Sequence, residues 1–168
     1  MDIDVRVESV EGALPRVDFR WDVDTDILTA TLRTTAVGEG MSGSVEVTGS
    51  DGSWLIFDVN AGRIAGVEVA VWPDVRTVEG LVAPAAPADA RVSIPTRRSQ
   101  PGVAAVEVET RLTAESDTAE KTIHFRIGGA RATRAIRLAD DLLLDIDERE
   151  QIAGVWFLNV PPFPAEKQ

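Results

Sequence analysis

Residues 141–157 read DLLLDIDEREQIAGVWF, and residues 54–69 read WLIFDVNAGRIAGVEV. Each is an apolar run ending in an aspartate (Asp145, Asp58), then a short polar turn, then Ile-Ala-Gly-Val (Ile152 to Val155, Ile64 to Val67). Taken by itself, the longer stretch RATRAIRLADDLLLDIDEREQ, residues 131–151, holds good helix formers and no internal Gly or Pro, which favours a helix. Its counterpart SVEVTGSDGSWLIFDVNAGR, residues 44–63, is rich in Gly, Ser, Val and Thr and carries Asp-Gly at a turn, which does not. Homologous units share a fold, so both stretches are expected to be strands.

The match extends outward. Asp4-Val5-Arg6-Val7 answers Asp89-Ala90-Arg91-Val92, Val17-Asp18-Phe19 answers Val106-Glu107-Val108, and Leu32-Arg33 answers Phe125-Arg126. The period, in the eighties, is too long for solenoid stacking and suits a duplicated unit. Apolar and polar residues alternate with a period of two at Ile3 to Glu8, Val45 to Val47, Val103 to Thr110 and Lys121 to Ile127. The pattern predicts about six strands per half, near 3–9, 16–22, 27–35, 44–49, 53–59 and 63–72, then 89–94, 103–111, 120–127, 131–138, 141–147 and 151–159. The expected fold is mainly β: two homologous antiparallel meanders packed as a pseudo-two-fold sandwich or barrel-like domain. Ala-Pro-Ala-Ala-Pro-Ala (83–88) marks the boundary, giving a first repeat at 1–83, a linker at 84–88 and a second repeat at 89–168.

Two segments carry a known resemblance. WDVDTDILTATL (21–32) and GSWLIFDVNAGRIAGVEV (52–69) resemble the opening and closing patterns of the small bacterial domain of unknown function 2283, and RATRAIRLADDLLLDIDEREQIAGVWFL (131–158) resembles its latter portion. SDTAEKTIHFRI (116–127) matches the opening loosely. The resemblance implies tandem, divergent copies of a compact β-meander, and protein binding, since some members look like partners of small toxins. It brings no functional residues.

Composition narrows the function classes. The 168 residues carry a net charge of −11, which opposes binding to a nucleic-acid backbone. Residues 1–84 hold 6 basic and 15 acidic side chains, residues 85–168 hold 11 and 13, so the first half is the acidic one. Solubility accounts for this charge, and a basic partner for the first half is the sharper alternative. The absence of cysteine removes disulfides, thiolate nucleophiles and thiolate metal sites. No apolar run reaches the roughly 20 residues that span a bilayer, and the acidic, alternating N-terminus lacks the features of a signal peptide. A cytoplasmic protein without membrane contact is expected.

Chemical motifs fall away one by one. Gly38-Glu39-Gly40-Met41-Ser42-Gly43 spells G-x-G-x-x-G, but the strand Ser44-Val45-Glu46-Val47 follows where a dinucleotide site needs a helix. The offset between the halves changes by about six residues here, so the piece reads as a lengthened hairpin loop. Asp22, Asp24 and Asp26 open like a calcium loop, yet Ile27 replaces its glycine and Arg33 its final glutamate, so a turn outweighs a metal site. Asp145, Asp147 and Glu148 invite the same reading. His124, the only histidine, alternates onto the face of Thr122 and Arg126 and is expected to point to solvent. Arg131, Arg134 and Arg137, with Arg97 and Arg98, form no single stripe. No cofactor signature remains.

Two functional readings survive. In the first, a non-enzymatic protein acts through contacts with a protein partner or a second copy, and Trp72, Trp156, Phe157 and Phe163 are the candidate interaction residues. The tail Val155 to Pro164 and its counterpart Val71-Trp72-Pro73 either cover their own sheets, which is preferred, or form an exposed patch. In the second, a small ligand or an enzymatic reaction uses the carboxylates of Asp58 and Asp145 in a cleft between the repeats. Their plainer role is turn capping.

Overall fold

The computed structural model describes residues 3–33, 42–85, 87–95 and 103–164, and among them there is no helix. The strands are β1 (Arg6–Ser9), β2 (Val17–Trp21), β3 (Leu28–Leu32), β4 (Ser42–Thr48), β5 (Trp54–Asn60), β6 (Arg63–Val71), β7 (Val75–Thr77), β8 (Ala88–Ser93), β9 (Val103–Glu109), β10 (Leu112–Ser116), β11 (Ile123–Ile127), β12 (Thr133–Ala139), β13 (Leu142–Asp147) and β14 (Ile152–Phe157). The mainly β class holds, including over residues 131–151, where helix propensity yields to pairing of β12 with β13. All twelve expected strands are present; β7 and β10 were not expected.

Two five-stranded antiparallel units form the frame, β2-β3-β6-β5-β4 and β10-β11-β14-β13-β12; each is a three-strand meander (β4-β5-β6, β12-β13-β14) with a hairpin added at β6 or β14, rather than the simple meander the sequence predicts. They share strand order and register. Leu28 opposes Val69 and Thr31 opposes Gly66 in the first; Ile123 opposes Phe157 and Arg126 opposes Gly154 in the second. Asp58 opposes Gly66 as Asp145 opposes Gly154. The register gives the place of β2 to β10 rather than to Val106-Glu107-Val108, and the place of Leu32 to Ile127 rather than to Phe125.

The meanders are not joined by antiparallel pairing alone. β4 pairs with β9 and β10 with β7 across the halves, and β12 pairs with β8 within the second, all in parallel, so β9 and β7 each close a sheet edge of the other half. Ala88, placed in the linker by its sequence, opens β8 and pairs with Ile136. The result is a single sheet curled round one core, which includes Leu28, Phe57 and Val67 of the first half and Phe125, Leu144 and Phe157 of the second. Phe19 meets Phe157 edge-on with centroids 6.3 Å apart, a direct contact between the halves. One shared core buries more apolar surface than two cores of about 84 residues each could.

Candidate functional site

The repeated Ile-Ala-Gly-Val is a β-bulge. Val59 opposes Ile64 and Asp58 opposes Gly66, leaving Ala65 as the extra residue; Ile146 opposes Ile152 and Asp145 opposes Gly154, leaving Ala153. Each bulge sets an aspartate over a glycine on the face of the sheet opposite the core. Both carboxylates therefore point away from the shared interior. The strand order also sets β12, β8 and β6 between their strands.

In the second meander this face carries a polar cluster. Asp145 Oδ2 lies 2.7 Å from His124 Nε2, and Trp156 Nε1 donates to Asp145 Oδ1 at 3.1 Å. The imidazole stacks on the indole at 3.9 Å between centroids and 11° between planes. His124 is 9% exposed and Asp145 7%, so the histidine is buried rather than solvated. The alternation gives the face, but that outer face is itself buried here: Trp156 stacks on the imidazole, and Leu143, opposite Trp156, is buried as well. No hydroxyl bonds to His124 among the described residues; Ser116 Oγ donates instead to the Asp117 carbonyl. The cluster therefore lacks the nucleophile of a catalytic triad. Thr29, Glu68 and Asp58 take the places of His124, Trp156 and Asp145 in the first meander. Burial pushes the Asp58 carboxyl above its ordinary range despite its accessible surface.

The second acidic cluster is a clamp. Asp147 accepts from Arg131 Nε at 2.8 Å through one oxygen and from the N–H groups of Arg149 and Gln151 through the other. Burial raises its carboxyl, but these hydrogen bonds outweigh burial and hold it below the usual carboxylate range. Asp22, Asp24 and Asp26 build the β2–β3 turn: Asp22 Oδ1 accepts the Asp24 N–H at 2.9 Å, and Asp26 takes a positive φ of 60°. Among the described residues no three His, Asp or Glu side chains converge as a metal-binding group. Gly38 to Met41, Arg97 and Arg98 lie outside the described residues.

The aromatic candidates separate. Phe157 is fully buried and Trp156 is 6% exposed, so neither offers a surface to a partner. Trp72 and Phe163 border a cavity of about 500 Å³ between the halves, together with Trp21, Val75 and Ile123. Trp21 stacks on Trp72 at 5.7 Å and meets Phe163 edge-on at 5.2 Å. Trp21 Nε1 donates to the Pro161 carbonyl and Trp72 Nε1 to that of Asp26, which fixes both indoles. The tail thus lies over the first meander's β2, crossing to the other half rather than covering its own sheet. Phe163 and Val75 remain 40% exposed at the rim, where Asp26 and Glu120 supply negative charge. Trp21 escaped the sequence reading because its alternation in VDFRW marks it only as core.

No family model matches the chain, and no curated protein matches it in sequence. No helix among the described residues is long and apolar enough to cross a membrane.

Proposed function

We propose that the protein is a non-enzymatic binding protein acting through protein contacts, and that the Trp21–Trp72–Phe163 cavity is its contact surface. The observation that carries this reading is the cavity itself: rigid aromatic walls, an exposed apolar rim and, among the described residues, no basic lining residue. Fixed aromatic side chains in a concavity are the usual anchors of an interface. The rim acids and the net charge of −11 favour a partner segment that carries a bulky apolar anchor beside Lys or Arg, and disfavour a second copy of this acidic chain. The shared order and register support reading the halves as tandem copies of one unit related to the domain of unknown function 2283, whose implied role is also protein binding.

The test is a tryptophan-fluorescence titration with two short peptides, each with a central Leu-Trp-Leu flanked by either Lys or Glu. The Lys-flanked peptide is expected to bind the wild type at least about tenfold more tightly than the Glu-flanked one. Phe163→Ser, at an exposed position, is expected to weaken the Lys-flanked peptide at least about tenfold. Equal affinities, or an unchanged Phe163→Ser response, would overturn the proposal.

A further inference from the structure

A second cavity lies on the seam between the meanders. Past Gly66 the bulge at Ala65 carries β6 away from β3, and β8 takes the place of β3 through the Arg63–Ser93 pair and a 2.7 Å bond from the Ile94 N–H to the Gly62 carbonyl. The gap is a cavity of about 340 Å³. Val10, Leu14 and Pro15 give it a half-buried apolar wall above the core residues Leu32, Ile64, Val92 and Leu138; Arg33, Arg63 and Arg91 also line it, and among the described residues no acidic side chain does.

The other meander holds its counterpart, about 450 Å³, with Ile127, Gly128, Gln151 and Ile152 in the places of Leu32, Arg33, Arg63 and Ile64. There the chain fills its own site. Arg131 reaches in and donates to Asp147, to the Ile127 carbonyl at 2.9 Å and to the Gly129 carbonyl at 2.8 Å. In the first meander the place of Asp147 belongs to Asn60, which carries no charge. Arg33 pairs with Asp18, but Arg63 and Arg91 form no ion pair among the described residues, although Glu8 opposes Arg91 across β1 and β8. With 28 acidic and 17 basic residues in the chain, a cavity lined by three arginines and, among the described residues, by no acidic side chain departs from the charge around it.

We infer that this seam cavity binds a small amphipathic carboxylate, its anionic head held by Arg63 and Arg91 and its apolar body resting on Val10, Leu14 and Pro15. Arginine suits the head because its planar fork meets a carboxylate through two parallel hydrogen bonds. The volume is near the lower end of small-molecule sites, about 300 to 1,000 Å³, which points to a short chain or a single ring.

Calorimetric titration with octanoate tests this, with octanol as the uncharged analogue. Octanoate is expected to bind saturably and at least about tenfold more tightly than octanol. Arg63→Gln and Arg91→Gln should each weaken octanoate about tenfold, while Gln151→Ala in the counterpart cavity leaves it unchanged. Arg91 is exposed, so Arg91→Gln carries the test if Arg63→Gln fails to fold. Equal affinity for octanol, full retention in Arg91→Gln, or no saturable heat up to about 10 mM octanoate would overturn the inference.

Discussion

Gly154 lies across the strand pair from Asp145, and a Cβ on that glycine would stand 2.6 Å from Asp145 Oδ2, 2.6 Å from the Phe125 carbonyl and 3.2 Å from His124 Nε2. The missing side chain is what lets the carboxylate reach diagonally to the imidazole. Gly66 plays the same part more loosely, with the Ala30 carbonyl at 2.8 Å and Asp58 Oδ2 at 3.5 Å.

Gly154→Ala is therefore expected to destabilise the fold by about 2–4 kcal/mol, through overpacking and loss of the buried polar contact. Gly66→Ala should cost less, because its carboxylate neighbour can move toward solvent. Urea denaturation of both variants measures the order; a costlier Gly66→Ala would contradict it.

Removing one member of the buried cluster leaves the others without partners. His124→Ala is expected to cost about 2–3 kcal/mol, since it leaves Oδ2 of the buried Asp145 side chain without its partner. Trp156→Phe keeps a ring against His124 but loses the indole donor and part of the buried ring volume, so about 1–3 kcal/mol is expected. Thermal melts with calorimetric enthalpies measure both.

The two shifted aspartates give opposite pH signatures. Asp147 is held low in the folded state, so its contribution is complete above its unfolded pKa of about 3.9 and is lost as pH falls through its folded pKa. Asp58 is raised, so the folded state favours its protonated form, and stability is lost as pH rises from about 3.9 through its folded pKa. Asp58→Asn should thus stabilise the protein at neutral pH and lose that advantage below about pH 3.9, whereas Asp147→Asn should destabilise it at neutral pH. Denaturant midpoints across the acid range read both signs.

Much of this architecture is legible in the chain, and the misses have physical causes. The period of two places the strands, and the Gly-rich partner stretch overrules the helix propensity of residues 131–151. The bulge stays hidden because an extra alanine in Ile-Ala-Gly-Val leaves no mark until the partner strand is known. Val75 to Thr77 is too short to show alternation and pairs in parallel across the chain's halves. His124 was expected in solvent because alternation tells which face a side chain takes, and not whether that face is buried; here Trp156 stacks on the imidazole and Leu143, opposite Trp156, is buried as well. Trp21, Trp72 and Phe163 come from three separated segments, so their convergence exists only in the folded sheet.

The account rests most heavily on the aromatic cavity as the contact surface. Chemical-shift mapping of the labelled protein with the Lys-flanked Leu-Trp-Leu peptide tests it most directly. The predicted result is saturable shifts concentrated at Trp21, Trp72, Thr77, Glu120 and Phe163, with the two indole N–H signals among the largest. Shifts spread evenly over the acidic surface, or none at these residues, would contradict it.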